Sequence, residues 1–136
     1  MVAAVKFHCF GENVAEKVHN LSSDQLVVAL TNTAPSASGD SILTDITEIT
    51  YTNLSSRSIR TSSSSQTGGV YSCVLADLTL TASGSVGPFR YVVIYNDTPT
   101  SPADPLIQYY DYGSERTLSN GETFTVNFGS SLLTIA

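Results

Sequence analysis

An antiparallel β-sandwich or small barrel, jelly-roll-like and carrying one short N-terminal helix, is the mainly β fold that this sequence predicts. Three observations lead there. About seven apolar, β-branched runs recur along the chain, each bounded by clusters of Gly, Pro, Asn, Asp or Ser. Only one segment has helical spacing. The chain has 136 residues, 41% of them hydrophobic. That is one domain, residues 1–136, able to bury roughly two-thirds of its unfolded surface without help from a metal or a disulfide.

The helix is expected over Gly11 to Asn20, where Val14, Ala15 and Val18, followed by Leu21, share a face. Glu12 and Glu16 come early and His19 late, which suits the helix dipole. Two or three turns are marginal alone, so this helix has to pack on a sheet. Ser22, Ser23 and Asp24 break it, and Gln25 to Thr31 reads as a strand apolar on both faces. Residues 32–40 form a loop. Ile42, Leu43, Ile46 and Ile49 fit a bent strand or a single helical turn equally well. Beyond Tyr51 the chain turns polar, and residues 52–69 read as a Ser-rich flexible loop.

The second half carries the clearer β pattern. Val70 to Thr81 reads as strand, with Leu78 and Leu80 alternating with Thr79 and Thr81. Ala82 to Pro88 turns the chain, and Phe89 to Tyr95 has the composition of a central strand. Pro99, Pro102 and Pro105 place residues 96–105 in a surface loop, because proline cannot donate to a ladder. Leu106 to Tyr112 is the next strand, Asn120-Gly121 a turn, Thr123 to Phe128 an alternating strand, and Leu132 to Ile135 the last.

Charge and cysteine usage narrow the function. Charged residues make up 13% of the chain, about half the usual share. The net charge of −6 and scattered basic residues argue against nucleic acid as a partner, since phosphate binding needs clustered Lys and Arg. No run approaches the length of a membrane span, and the N-terminus lacks a secretory core, so a product of the cytosol with no membrane role is expected. In that compartment Cys9 and Cys73 are expected to be free, buried thiols.

Catalytic and metal signatures are weak. His8, Cys9, His19 and Cys73 fall in no zinc spacing, so no cofactor or metal is expected from them. Asp97, Asp104 and Asp111 lie seven apart and offer oxygen ligands of the kind calcium takes, but without the calcium-loop pattern they read first as turn residues. No G-x-S-x-G or phosphate loop is present, and two histidines leave few triads. Tyr91, Tyr95, Tyr109, Tyr110 and Tyr112 lie in expected strands, where they serve as packing residues or as an outer stacking row for sugar or protein.

Four stretches carry a resemblance: Val18 to Leu21, Leu26 to Pro35, Gly87 to Asp97, and Leu118 to Val126. Through them the chain resembles a group of small phage and prophage virion proteins. The resemblance implies a non-catalytic component of the particle, foremost a head decoration or cement protein on the outer capsid lattice. Its partner is then the major capsid protein, its location the virion, and its state a homo-oligomer, with a trimer favoured. The alternative is a tail, baseplate or fibre module contacting receptor or glycan; a small glycan-active or hydrolytic enzyme ranks third. Cementing suggests contact residues. An arm of residues 1–10 with Phe7 and Phe10 is expected to dock on a neighbour, and Arg57 and Arg60 to meet acidic capsid surface. The competing expectation for Phe7 and Phe10 is the monomer's own core.

Overall fold

The computed structural model describes residues 3–129 and 132–135. Among these, ten strands are formed: β1 (Ala4–Lys6), β2 (Leu26–Thr31), β3 (Ser58–Ile59), β4 (Thr61–Thr67), β5 (Val70–Leu75), β6 (Leu78–Thr81), β7 (Val86–Asn96), β8 (Leu106–Leu118), β9 (Thr123–Val126) and β10 (Leu133–Ile135). One helix, α1 (Cys9–Ala15), separates β1 from β2. The strands make a five-stranded sheet β1-β8-β7-β2-β3, a three-stranded sheet β10-β5-β4 and a two-stranded sheet β6-β9, all paired antiparallel. The fold is therefore mainly β with one short helix, as the sequence predicts, and β7 is the central strand of the large sheet.

Alternation along β2 and β7 explains the layering. Leu26, Val28 and Leu30 of β2, with Val92 and Ile94 of β7, face Cys73, Leu75, Leu80, Phe124, Val126 and Leu133 from the two smaller sheets. Val27, Ala29, Val93 and Tyr95 point the other way, beside Leu106 of β8, and are covered by Phe7 and Ile46, with Leu43 packed alongside. The large sheet is thus buried on both faces, which is why its strands read as continuous apolar runs. Each fully buried Leu, Ile or Val contributes roughly 1.5–3 kcal/mol. A seven-residue helix cannot hold itself together, so the sheets carry α1.

Local geometry corrects several expectations. The helix ends at Ala15, and His19 lies beyond it. Lys17 takes a left-handed φ of 65°. Its N–H reaches Val14 O at 3.3 Å, and Val18 N–H reaches Asn13 O at 2.8 Å, the two bonds of a Schellman stop. No glycine announces it in the sequence. Residues 42–49 form a 3₁₀ turn over Leu43–Asp45, held by Asp45 accepting from the Ser41 and Ile42 N–H groups at 2.9 and 3.2 Å. Val70 to Thr81 is two strands in two sheets, interrupted at Ala76 and Asp77.

The Ser-rich stretch 52–69 is not a loop throughout, because it contains β3 and β4. Gly68 and Gly69, with φ of 59° and 86°, make a two-residue hairpin turn between Thr67 and Val70 and zip β4 onto β5. The hydroxyls of Ser64 and Tyr71 lie 2.7 Å apart beneath it. β7 begins at Val86, inside the expected turn, with a shift of register between Val86 and Phe89. Gly87 makes that possible: at its φ of 119° a Cβ would sit 2.7 Å from Arg116 O. β8 runs on to Leu118 after bulging beyond Asp111, whose carboxylate caps Gly113 N–H at 2.8 Å. Among the described residues no helix is long and apolar enough to cross a membrane.

Candidate functional site: a polar cleft at the edge of the large sheet

The expected docking phenylalanines are core residues. Phe7 follows β1, donates its N–H to Ile107 O at 3.0 Å, and is 0% exposed, its ring 5.4 Å from that of Tyr109. Phe10 projects from α1 into the main core at 3% exposure, 5.3 Å from the His19 ring. The pairing of β1 with β8 and the packing of α1 tie this segment to its own sheet. Neither ring is available to a neighbour, which corrects the docking-arm expectation from Ala4 to Phe10. Met1 and Val2 lie outside the described residues.

Arg57 is held by its own chain. β3 pairs with β2 only at Leu26 and Val27, so the outer edge of β2 needs other partners from Val28 onward. Val28 N–H donates to Arg57 O at 3.0 Å, and Arg57 Nη1 donates to Val28 O at 2.7 Å. The Tyr51 hydroxyl accepts Leu30 N–H at 2.9 Å and donates to Glu48 Oε1 at 2.7 Å. Ile49 N–H closes on Leu30 O at 3.0 Å, and Thr31 bridges to Glu48. Arg60, next along the chain, is exposed.

Around Arg57 opens a cleft of about 540 Å³ floored by Val27, Tyr51 and Tyr95 and walled by Leu54, Ser55, Ser56, Ser58 and Asp97. Burial pushes the Tyr51 and Tyr95 phenols up, with Glu48 adding to it and Arg57 opposing it. Asp104 is also held above the ordinary carboxyl value, first by burial and then by Asp97. The guanidinium in the cleft is engaged by Val28 O and lies over the Tyr51 ring. Arg57 is thus engaged by its own chain, where the expectation set it against an acidic capsid surface. Two serines are engaged too: Ser55 Oγ accepts Thr81 N–H at 2.8 Å and Ser56 Oγ accepts Ser58 N–H at 3.3 Å.

The other expected groups are dispersed. Asp97 and Asp104 come near each other, while Asp111 pairs with Arg90 at 2.8 and 3.1 Å elsewhere on β7 and β8. That hydrogen-bonded guanidinium holds the Asp111 carboxyl low. Among the described residues no group of three or more His, Cys, Asp and Glu is placed to hold a metal. Cys73 is buried and Cys9 half-buried; both are free, with burial raising their thiols. Tyr91, Tyr95 and Tyr109 lie on one side of the large sheet, and Tyr110 and Tyr112 on the other, so the five form no outer row.

Chemically, the cleft is a hydrogen-bonding surface of hydroxyls, a carboxylate and an engaged guanidinium, closing a sheet edge. Sequence reading reached Arg57 but missed Glu48, Tyr51 and Tyr95 as its neighbours. The available signal was an Arg and a Tyr six residues apart in an otherwise polar stretch. No protein-family model, curated protein or solved structure matches the chain.

Proposed function

We propose that this chain is a structural component of a phage particle, a decoration protein that binds the outer surface of the head and stabilises it. The resemblance of four stretches of sequence to small virion proteins suggests the reading. One structural observation supports it best. β4, from Thr61 to Thr67, is a largely exposed outer strand carrying only hydroxyl and amide side chains. From Ile49 to Ala76 the chain has no Asp or Glu, although the whole holds 12, and this span includes Arg57 and Arg60. On an acidic chain, such a face can lie against another protein without like charges meeting. A cement needs that kind of face. With Phe7, Phe10 and Arg57 committed internally, Arg60 and β4 become the contact residues of the proposal.

Binding to separated particle parts tests it. Labelled protein is added to purified heads and tails of the phage that encodes it, both stripped of the native copy, and bound protein is measured after sedimentation. Saturable binding to heads alone is the expected result. Binding confined to tails moves the role to a tail, baseplate or fibre module, and binding to neither overturns the virion reading.

A further inference from the structure

The order β10-β5-β4 leaves one side of β4 unpaired. The two-residue Gly68-Gly69 turn joins Thr67 directly to its partner Val70. In such a hairpin Thr67, Ser65 and Ser63 direct their N–H and C=O groups to β5, and Ser64 and Gln66 direct theirs outward. Among the described residues no other backbone segment pairs with them. Natural sheets guard their edges with charge, proline, short strands or bulges. β4 has seven residues, no charge and no proline, and its one irregularity, between Thr61 and Ser63, leaves Ser63 to Thr67 regular.

We propose that β4 pairs antiparallel with β4 of a second copy of this chain, across a twofold axis at Ser65, making one six-stranded sheet from two three-stranded ones. The stretch is its own complement in this register. Ser64 meets Gln66 of the other copy, and these are the residues whose backbone groups point outward. Ser65 meets Ser65 and Ser63 meets Thr67, hydroxyl pairs that favour cross-strand contact. The net charge of −6 opposes self-association over most of the surface. β4 and its turn carry no carboxylate of their own, and the two Arg60 residues stand roughly 33 Å apart along the ribbon, far beyond the screening length of about 8 Å. Such an isologous contact needs no third component. A five-residue edge buries much less than the roughly 1,000 Å² of a stable dimer, so it fills at high local concentration. The inference does not depend on the capsid reading.

Amide hydrogen exchange of the intact protein, followed by NMR from micromolar to millimolar concentration, tests it. The Ser64 and Gln66 amides are expected to slow by about tenfold or more as concentration rises. Ser65→Cys is expected to form a disulfide-linked dimer under mild oxidation, the wild type with Cys9 and Cys73 serving as control. Adding Ser64→Pro, which removes an outward N–H and spares the ladder to β5, abolishes that cross-link while circular dichroism confirms the fold. Exchange independent of concentration, no cross-link with Ser65→Cys, or a cross-link that survives Ser64→Pro would each overturn the proposal.

Discussion

Arg57 lies over Tyr51, its guanidinium carbon 3.7 Å from the ring centroid, while Nη1 of the same group bonds Val28 O at 2.7 Å. One side chain thus closes a strand edge and clamps the residue that closes it further along. Arg57→Ala is expected to cost about 2 kcal/mol, from a charged hydrogen bond and a cation–π contact. Arg57→Lys should recover only part of that, since an ammonium cannot both stack flat and reach the carbonyl. Urea unfolding measures both. An unchanged midpoint in Arg57→Ala would mean the side chain is free for a partner after all.

Phe7 and Phe10 provide the contrasting test at the N-terminus. Each is buried among apolar neighbours of its own chain. Phe7→Ala and Phe10→Ala are each expected to cost about 3–5 kcal/mol. Thermal unfolding monitored by circular dichroism reads the loss; an arm that docks only on a neighbour would leave the isolated protein's melting temperature where it was.

The layout of the large sheet was legible because burial on both faces writes itself as the continuous runs Leu26 to Thr31 and Phe89 to Tyr95. The strict alternation at Thr123 to Val126 likewise survives as exposed and buried residues in turn. β4 was not legible, since Ser has no strand preference and the strand is imposed by the Gly68-Gly69 turn and by pairing with β5. The helix stop at Lys17 was hidden because lysine gives no sign of a left-handed conformation. For the cleft, Arg57 stood out as a charge in a polar stretch, but what holds it, Val28 O and the Tyr51 ring, and what surrounds it, Tyr95 and Asp97, are brought together only by the fold.

Acid sensitivity should reside in His19. Asn96 Nδ2 donates to Asp24 Oδ2 at 2.7 Å and lies 3.0 Å from His19 Nδ1, so Nδ1 is the acceptor and Nε2 carries the proton, buried without a partner. Burial holds the ring below its ordinary value of 6.5, with Asp24 pulling the other way. The unfolded chain therefore takes up this proton before the folded one does. Stability falls as pH drops from about 6.5 toward the folded value and is restored above 6.5. His19→Gln keeps an acceptor for Asn96 and should flatten the melting temperature between pH 5 and 7.5, in buffers differing only in pH. An unaltered slope would place the sensitivity elsewhere.

Arg60 is exposed and close to β4, so it separates binding from folding. Arg60→Glu is expected to leave stability within about 0.5 kcal/mol of wild type. Head binding should weaken and lose much of its dependence on salt. Sedimentation with purified heads across a salt series checks this; equal binding by both proteins would remove Arg60 from the contact.

The proposed role is tested most directly by the copy number of the protein relative to the major capsid protein, read by quantitative mass spectrometry of separated heads and tails. Decoration predicts copies on heads in a fixed, lattice-scale ratio to the capsid protein, with none on tails. A handful on tails, or absence from both, would contradict it.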